Sequence, residues 1–387
     1  MKKRSKWLQA LLAMTSPLML CGSDKNTAGP RDISSVDPNF KTAEVGGEPV
    51  EYVDALAGGP FRLTGFPWRK ADGTIYRMPD SVNKDNVNEG VLFLSNHTSG
   101  GQISFRTDSR YIAIRADINV APHDMGHMPR TGSSGFDFYE KTADGYRFRR
   151  VVAPTPEHLK GEPLEMMAIV KRKEKSMRSW RINLPLYGGV RKLELGLEPG
   201  AKVEAPEAYT LAKPILFYGS SITQGGCASR PGNNYSTMLC RKLDAPQINL
   251  GFSGCAKGEI SVAEAIASLD LAAFVMDYDH NAPNAEHLAK THGPFFRKVR
   301  EAHPDLPILL LTRGDNPTKE RTAVVRETYE KAVAAGDKNV YFIDGAEYFA
   351  GLEDWATATV DGCHPNDLGF YLMYQRVLPV LKQALGL

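Results

Sequence analysis

Three side chains of this sequence could together carry acyl transfer: Ser221, His364 and Asp361. A serine hydroxyl is a weak nucleophile until a base takes its proton. His364 is a candidate base, because neutral imidazole is available near pH 7. Asp361, three residues earlier, could accept from Nδ1–H, fix the ring tautomer and stabilise the imidazolium. The reaction also needs donors aimed at the developing oxyanion, each worth roughly 3–4 kcal/mol by mutagenesis. The backbone N–H groups of Ser221 and Gly254 and the side-chain amide of Asn281 are candidates.

Such residues must be brought together by the elements that precede them. Apolar runs at 215–218, 248–250, 273–276, 308–311 and 340–343 alternate with helix-like stretches. One helix begins near Asn233, and others cover 259–268, 285–302 and 319–335. Alternating strand and helix predicts an α/β domain over 208–387 with an open parallel sheet. In such sheets ligands bind beyond the carboxyl ends of the strands. The first three strands are followed by Gly219-Ser220-Ser221-Ile222-Thr223-Gln224-Gly225, Gly251-Phe252-Ser253-Gly254 and Asp277-Tyr278-Asp279-His280-Asn281, and Asp361-Gly362-Cys363-His364-Pro365 lies near the C-terminus. All candidates therefore lie where one site would collect them. Ahead of this half, 46–207 reads as an all-β sandwich or jelly roll. Its short runs at 91–94, 102–106, 111–115, 135–139, 165–170, 179–184 and 191–197 are separated by turn signals such as Asp144-Gly145 and Gly188-Gly189.

Gly219-Ser220-Ser221-Ile222 resembles the GDSL block of the SGNH hydrolases, and the later motifs follow in that family's order over about residues 211–387. Gly135-Phe136-Asp137-Phe138-Tyr139 resembles the GxDLY signature of the jelly-roll domain that precedes some bacterial SGNH esterases. The resemblance implies a three-layer, flavodoxin-like hydrolase domain behind a jelly roll. It implies Ser221 as nucleophile, Asp361 and His364 as its triad partners, and Ser221, Gly254 and Asn281 as the oxyanion hole. It further implies a carboxylic ester hydrolase that needs no metal or organic cofactor and acts on small acyl esters, acetyl above all, on glycans. Two departures are visible: Ser220 stands where the family has Asp, and the usual Gly-x-Asn-Asp block is absent. Asn281 is therefore placed by its distance from the strand, with Asn284 as a substitute.

The 387 residues predict two to three domains, and 42% hydrophobic with 24% charged residues exclude a disordered or fibrous chain. Lys+Arg 47 against Asp+Glu 45 gives a net charge of +2, which argues against a nucleic-acid binder. The cluster Lys171, Arg172, Lys173, Lys175 is interrupted by Glu174 and reads as a solvated edge. Lys2, Lys3, Arg4 and Lys6 followed by the mostly apolar stretch 7–20 read as a secretory signal over 1–21. Cys21 sits where a lipobox would place its lipidated cysteine, with Leu18 in keeping and Leu20 bulky for that role. The expectation is an exported protein, periplasmic, outer-membrane-associated through Cys21, or secreted, with 22–45 as a tether. No other stretch approaches a membrane span.

Several residues carry rival readings. An exported compartment permits disulfides. Cys227, Cys240, Cys255 and Cys363 fit no zinc pattern and read by default as free thiols. Cys227 and Cys255 are nonetheless expected to approach each other above neighbouring strands, whereas Cys240 reads as a buried helix residue. A strand followed by Asp277-Tyr278-Asp279 resembles the entry to Mg-dependent phosphohydrolases, an alternative that leaves Ser221 and His364 unexplained. Arg230 is a candidate substrate contact or an ion-pair partner, and Glu259 a substrate ligand or a helix-start carboxylate. His123 and His127 lie between Pro122 and Pro129, in a loop that could reach the site as a substrate wall. A third reading makes the chain a glycan-binding protein with an inactive hydrolase half.

Overall fold

A computed structural model describes residues 47–70, 72–119, 125–155, 158, 163–315 and 318–387. The expected signal and tether, and His123, lie outside the described residues.

The first half contains β1 (Glu51–Asp54), β2 (Arg62–Thr64), α1 (Glu89–Leu94), β3 (Gln102–Thr107), β4 (Ile112–Asn119), α2 (Arg130–Ser133), β5 (Phe136–Thr142), β6 (Gly145–Val152), β7 (Leu164–Ile169), β8 (Arg178–Asn183), β9 (Gly189–Leu197) and β10 (Val203–Glu204). Its strands pair antiparallel in two sheets, β1-β9-β4-β7 and β10-β3-β8-β5-β6, with β2 on β3. Alternate residues point inward, as a period of two requires. Ile103 and Phe105 of β3, Ile112 and Ile114 of β4, Phe136 and Phe138 of β5, and Leu193 and Leu195 of β9 meet in one core. The expected Asp144-Gly145 turn joins β5 to β6, with Gly145 at φ +96 where a side chain would be strained.

The second half contains β11 (Ile215–Gly219), α3 (Ser221–Gln224), α4 (Tyr235–Leu243), β12 (Gln247–Gly251), α5 (Ile260–Ala267), β13 (Ala273–Asp277), α6 (Ala285–Ala302), β14 (Ile308–Leu311), α7 (Lys319–Ala334), β15 (Val340–Ile343) and α8 (Asp367–Ala384). The strands are parallel in the order β12-β11-β13-β14-β15, the flavodoxin-like order. Burial on both faces explains why these strands read as continuous apolar runs. Leu216, Tyr218, Phe274 and Met276 face a core shared with α5 and α6, and Ile215, Phe217, Ala273 and Val275 face one shared with α4 and α8. Asn234, Asn284 and Asn366 cap α4, α6 and α8 by accepting from backbone N–H groups.

The run 91–94, expected as a strand, is instead part of α1. Asn88 accepts from the Val91 N–H as N-cap, and Val91 and Leu94 turn inward. They do not join the β core. Together with Tyr76, Met78, Val82 and Val87 they pack on Ile248 and Leu250 of the α/β half. Arg77, fully buried in this layer, donates to the carbonyls of Asn249, Gly251 and Leu94 at 3.0, 2.8 and 2.7 Å. The two halves thus form one compact unit. No helix among the described residues is long and apolar enough to cross a membrane.

Candidate active site

The site begins where β11 ends. Gly219 permits the sharp turn, since a Cβ there would meet Thr223 Oγ1 at 2.1 Å and the Asp277 carbonyl at 2.3 Å. Ser220 Oγ accepts from Ile222 N–H at 3.1 Å and caps α3, so serine does the capping that an aspartate also can. α3 lasts one turn and ends at Gly225, φ +115. Ser221 is thereby held at the first position of a helix that starts on the sheet's carboxyl edge.

Ser221 Oγ lies 3.0 Å from His364 Nε2. His364 Nδ1 lies 2.7 Å from Asp361 Oδ2. The other Asp361 oxygen accepts from the backbone N–H groups of Cys363 and His364, at 3.0 and 2.7 Å. Partial burial raises the Asp361 carboxyl, but the hydrogen bonds from His364 outweigh it and hold it below its ordinary value. His364 is raised, chiefly through the Cys363 sulfur and then Asp361, against the opposing effect of burial. The arrangement can pass a proton from a hydroxyl to an imidazole whose charge a carboxylate supports.

Two backbone donors stand just past the carboxyl ends of the neighbouring strands β11 and β12. Among the described residues, neither the Ser221 N–H nor the Gly254 N–H has an acceptor, and beside Gly254, φ +70, nothing lies within 4 Å of where a Cβ would be. Asn281 Nδ2 donates to the Phe252 carbonyl at 2.8 Å and braces the 252–254 turn. Gln224 braces it from below: its Oε1 accepts from Ser253 N–H at 3.0 Å, and its Nε2 donates to the Leu186 carbonyl at 3.2 Å and His97 Nδ1 at 3.1 Å. Burial pushes His97 down to about 3, so its ring is neutral and can accept. Leu186 and His97 precede the α/β half in sequence, so the oxyanion-side turn is held from across the junction. The His127 ring also crosses it, 5.4 Å from that of His364.

The GDSL-like lipase/acylhydrolase profile matches residues 212–382, and the profile for the GxDLY N-terminus of SGNH-type esterases matches 50–203. The protein belongs to the GDSL/SGNH esterases. A solved structure from Bacteroides ovatus, described as a GDSL-like lipase, is 29% identical, with a TM-score of 0.77 over 87% of this chain and 98% of that one. The salicylyl-acyltransferase SsfX3 of a tetracycline biosynthetic pathway is 21% identical, with a TM-score of 0.71 over 87% and 98%. An acetyl xylan esterase of the rumen bacterium Butyrivibrio proteoclasticus shares the fold at 14% identity, with a TM-score of 0.55 over 88% and 99%. No functionally curated protein gives a significant match.

In this SGNH esterase the remaining candidates take other places. Arg230 stacks on Phe148, 4.0 Å from the ring centre, with Nε 3.6 Å from Asp137, the ion-pair partner of its second reading. Glu259 stands at the start of α5, but its side chain accepts from Asn88 Nδ2 at 2.5 Å and Lys257 N–H at 3.2 Å and makes no cap bond to the helix. Asn284 is occupied as the cap of α6, accepting from His287 N–H at 2.7 Å. Asp277 is buried and accepts from Thr223 Oγ1 at 2.9 Å and Tyr235 OH at 2.8 Å, while Asp279 accepts from Arg313 N–H at 3.0 Å. Neither carboxylate is presented to an open cleft as a phosphohydrolase would need. The expected approach of Cys227 to Cys255 does not form a disulfide; all four described cysteines are free. Cys227 packs in the core over α4 and α8, and Cys255 against the opposite one. Cys240 is buried in α4, as expected.

Sequence reasoning missed one cluster beside this esterase site. Cys363 Sγ lies 3.2 Å from His280 Nε2, and His280 Nδ1 lies 3.2 Å from Asp315 Oδ1. His280 was legible only as part of the segment after β13, and Cys363 only as the neighbour of His364.

Proposed function

We propose that this SGNH hydrolase is a serine esterase that removes small acyl groups, acetyl foremost, from glycans. The reading is carried by the Ser221–His364–Asp361 chain of 3.0 and 2.7 Å contacts, with two backbone N–H groups that have no partner among the described residues. Ser221 Oγ attacks the ester carbonyl while His364 Nε2 takes its proton. The oxyanion develops against the N–H groups of Ser221 and Gly254 and the Asn281 amide. His364 then protonates the leaving alcohol, and water, activated by the same ring, hydrolyses the acyl-enzyme. This sequence needs no proton donor beyond the protein and water.

The alcohol side is read from a cavity of about 290 Å³ beside Ser253, lined by Phe93, Leu94, His97, Met125 and Tyr187. Phe93 stands 54% exposed at this cavity, a flat apolar face on which a sugar ring can rest. The acetyl xylan esterase among the structures of like fold supports that choice of substrate. The basic and apolar N-terminus supports export, with Cys21 as the site of a lipid anchor.

The test is hydrolysis of p-nitrophenyl acetate and of acetylated oligosaccharides by the wild type and by Ser221→Ala, with folding checked by circular dichroism. Loss of both activities in a folded variant supports the reading. Activity that survives Ser221→Ala sinks it. A wild type without activity on any ester, but with oligosaccharide binding, returns the glycan-binding alternative.

A further inference from the structure

We propose that Cys363 is a reactive thiolate with its own imidazole and carboxylate, at which a low-molecular-weight disulfide forms a mixed disulfide and switches the esterase off. The geometry is a Cys363–His280–Asp315 chain, set back to back with Ser221–His364–Asp361. His280 Nε2 is in hydrogen-bond contact with Cys363 Sγ at 3.2 Å, and its Nδ1 stands 3.2 Å from Asp315 Oδ1 as an ion-pair contact without hydrogen-bond geometry. Asp315 is fixed in turn by Arg313, whose Nε lies 3.2 Å from Oδ1 and whose Nη2 contacts Oδ2. The sulfur also lies within 4.8 Å of a ring nitrogen of His364 and a carboxylate oxygen of Asp361. Cys363 is half-buried, so a small reagent can reach it, and three turns of chain converge there from sequence positions 35 to 83 residues apart.

The charges facing the sulfur favour its ionised form. Burial alone would raise it, but hydrogen bonds from His280 and His364 outweigh that and bring the thiol down to about 7. Burial would lower His280, yet Asp315 and Cys363 outweigh it and lift the ring to about 9. The other thiols are pushed the opposite way. Burial sends Cys227 up to about 12 and raises Cys240 and Cys255 too, and the first two are almost wholly enclosed. Among the described cysteines, only Cys363 combines access with an anionic sulfur.

In the step itself, the Cys363 thiolate attacks one sulfur of R–S–S–R. A bond forms between Cys363 Sγ and that sulfur as the reagent's S–S bond breaks, and the other half leaves as R–S⁻, which takes a proton from solvent. Cys363 is oxidised and half of the reagent reduced. The Cys363 sulfur is then uncharged and carries a bulky group. This removes the anion beside His364 that supports its imidazolium and wedges the ring away from Ser221. A thiol reverses the step.

The test treats the full chain with oxidised glutathione at pH 7, maps every cysteine by peptide mass spectrometry and follows ester hydrolysis in parallel. The expected result is modification of Cys363 at least tenfold faster than Cys227, Cys240 or Cys255, activity lost in step, and recovery in dithiothreitol. Cys363→Ser should keep its own starting activity through the same treatment. His280→Gln should move the midpoint of the iodoacetamide rate–pH curve up by about 1.5 units, toward a free thiol near 8.5. At pH 7 that leaves about sixteenfold less thiolate, offset about fivefold by its higher nucleophilicity, a net loss of about threefold in rate. Equal or faster modification of Cys255, or an unmoved His280→Gln curve, overturns the thiolate. Full modification of Cys363 with activity retained overturns the switch. The mass map does not depend on the esterase reading, so a protein inactive on every ester would still report on the thiolate.

Discussion

Asp277 sits under the nucleophile turn, and replacing it separates two chemistries in one experiment. Its carboxyl is buried, accepts from Thr223 and Tyr235, and stands near Asp279. Burial, then the Asp279 charge, raises it from 3.8 to about 7, against the pull of its two hydrogen-bond donors. A shift of about 3 units corresponds to roughly 4 kcal/mol between its protonated and ionised forms. The folded protein therefore binds more protons than the unfolded chain between the two values. Stability from this group is full below pH 4, falls as the pH rises toward 7, and stays lost above it. Asp277→Asn keeps an acceptor for Thr223 and Tyr235 and abolishes the titration. Its unfolding free energy, measured in urea from pH 4 to 8, should gain on the wild type as the pH rises, by an amount on the order of 4 kcal/mol or somewhat less. A difference that is flat with pH, or that falls, refutes the reasoning. Esterase activity should persist in this variant and be indifferent to EDTA. Loss of activity with EDTA sensitivity would instead restore the Mg-dependent phosphohydrolase.

Other substitutions probe the site and its supports. The acid limb of kcat/KM should lie above pH 6.5, because His364 must be neutral to act as base and is raised; Cys363→Ala should move that limb to lower pH, read from a pH–rate profile. Asp361→Asn should lower kcat by about 10⁴ while the fold is kept, measured with p-nitrophenyl acetate. Phe93→Ala should raise KM for acetylated oligosaccharides about five- to tenfold, with a much smaller effect on p-nitrophenyl acetate, since about 1 kcal/mol of apolar contact is lost with the sugar alone. Asp137 of the GxDLY segment accepts from Asn183 Nδ2 at 2.8 Å and Gly232 N–H at 2.7 Å across the junction. Asp137→Ala should cost about 2–5 kcal/mol in urea unfolding, because two buried donors lose their partner.

Features encoded by local chemistry are legible in the amino-acid sequence. The parallel strands read as apolar runs because both their faces are buried. The α6 bounds, 285–302, were read as found, because Asn284 caps the start of a long amphipathic stretch. The order of motifs at strand ends put Ser221, Gly254, Asn281, Asp361 and His364 on one edge of the sheet. Tertiary structure decided the rest. The four-residue run 91–94 has no period long enough to tell strand from helix. The Asn88 cap and the docking of Val91 and Leu94 on β12 made it helical and moved it to the other core. α8 went unread in sequence, and the cysteines are free, as their default reading had it, while their neighbours are not settled by spacing. Gln224, which holds Ser253, reaches His97 across 127 residues, and His280 reaches Cys363 across 83. Such contacts depend on where side chains point once separate layers have packed, and one-dimensional patterns carry no record of that. The motifs told which residues could react; packing set which of them have partners and which are enclosed.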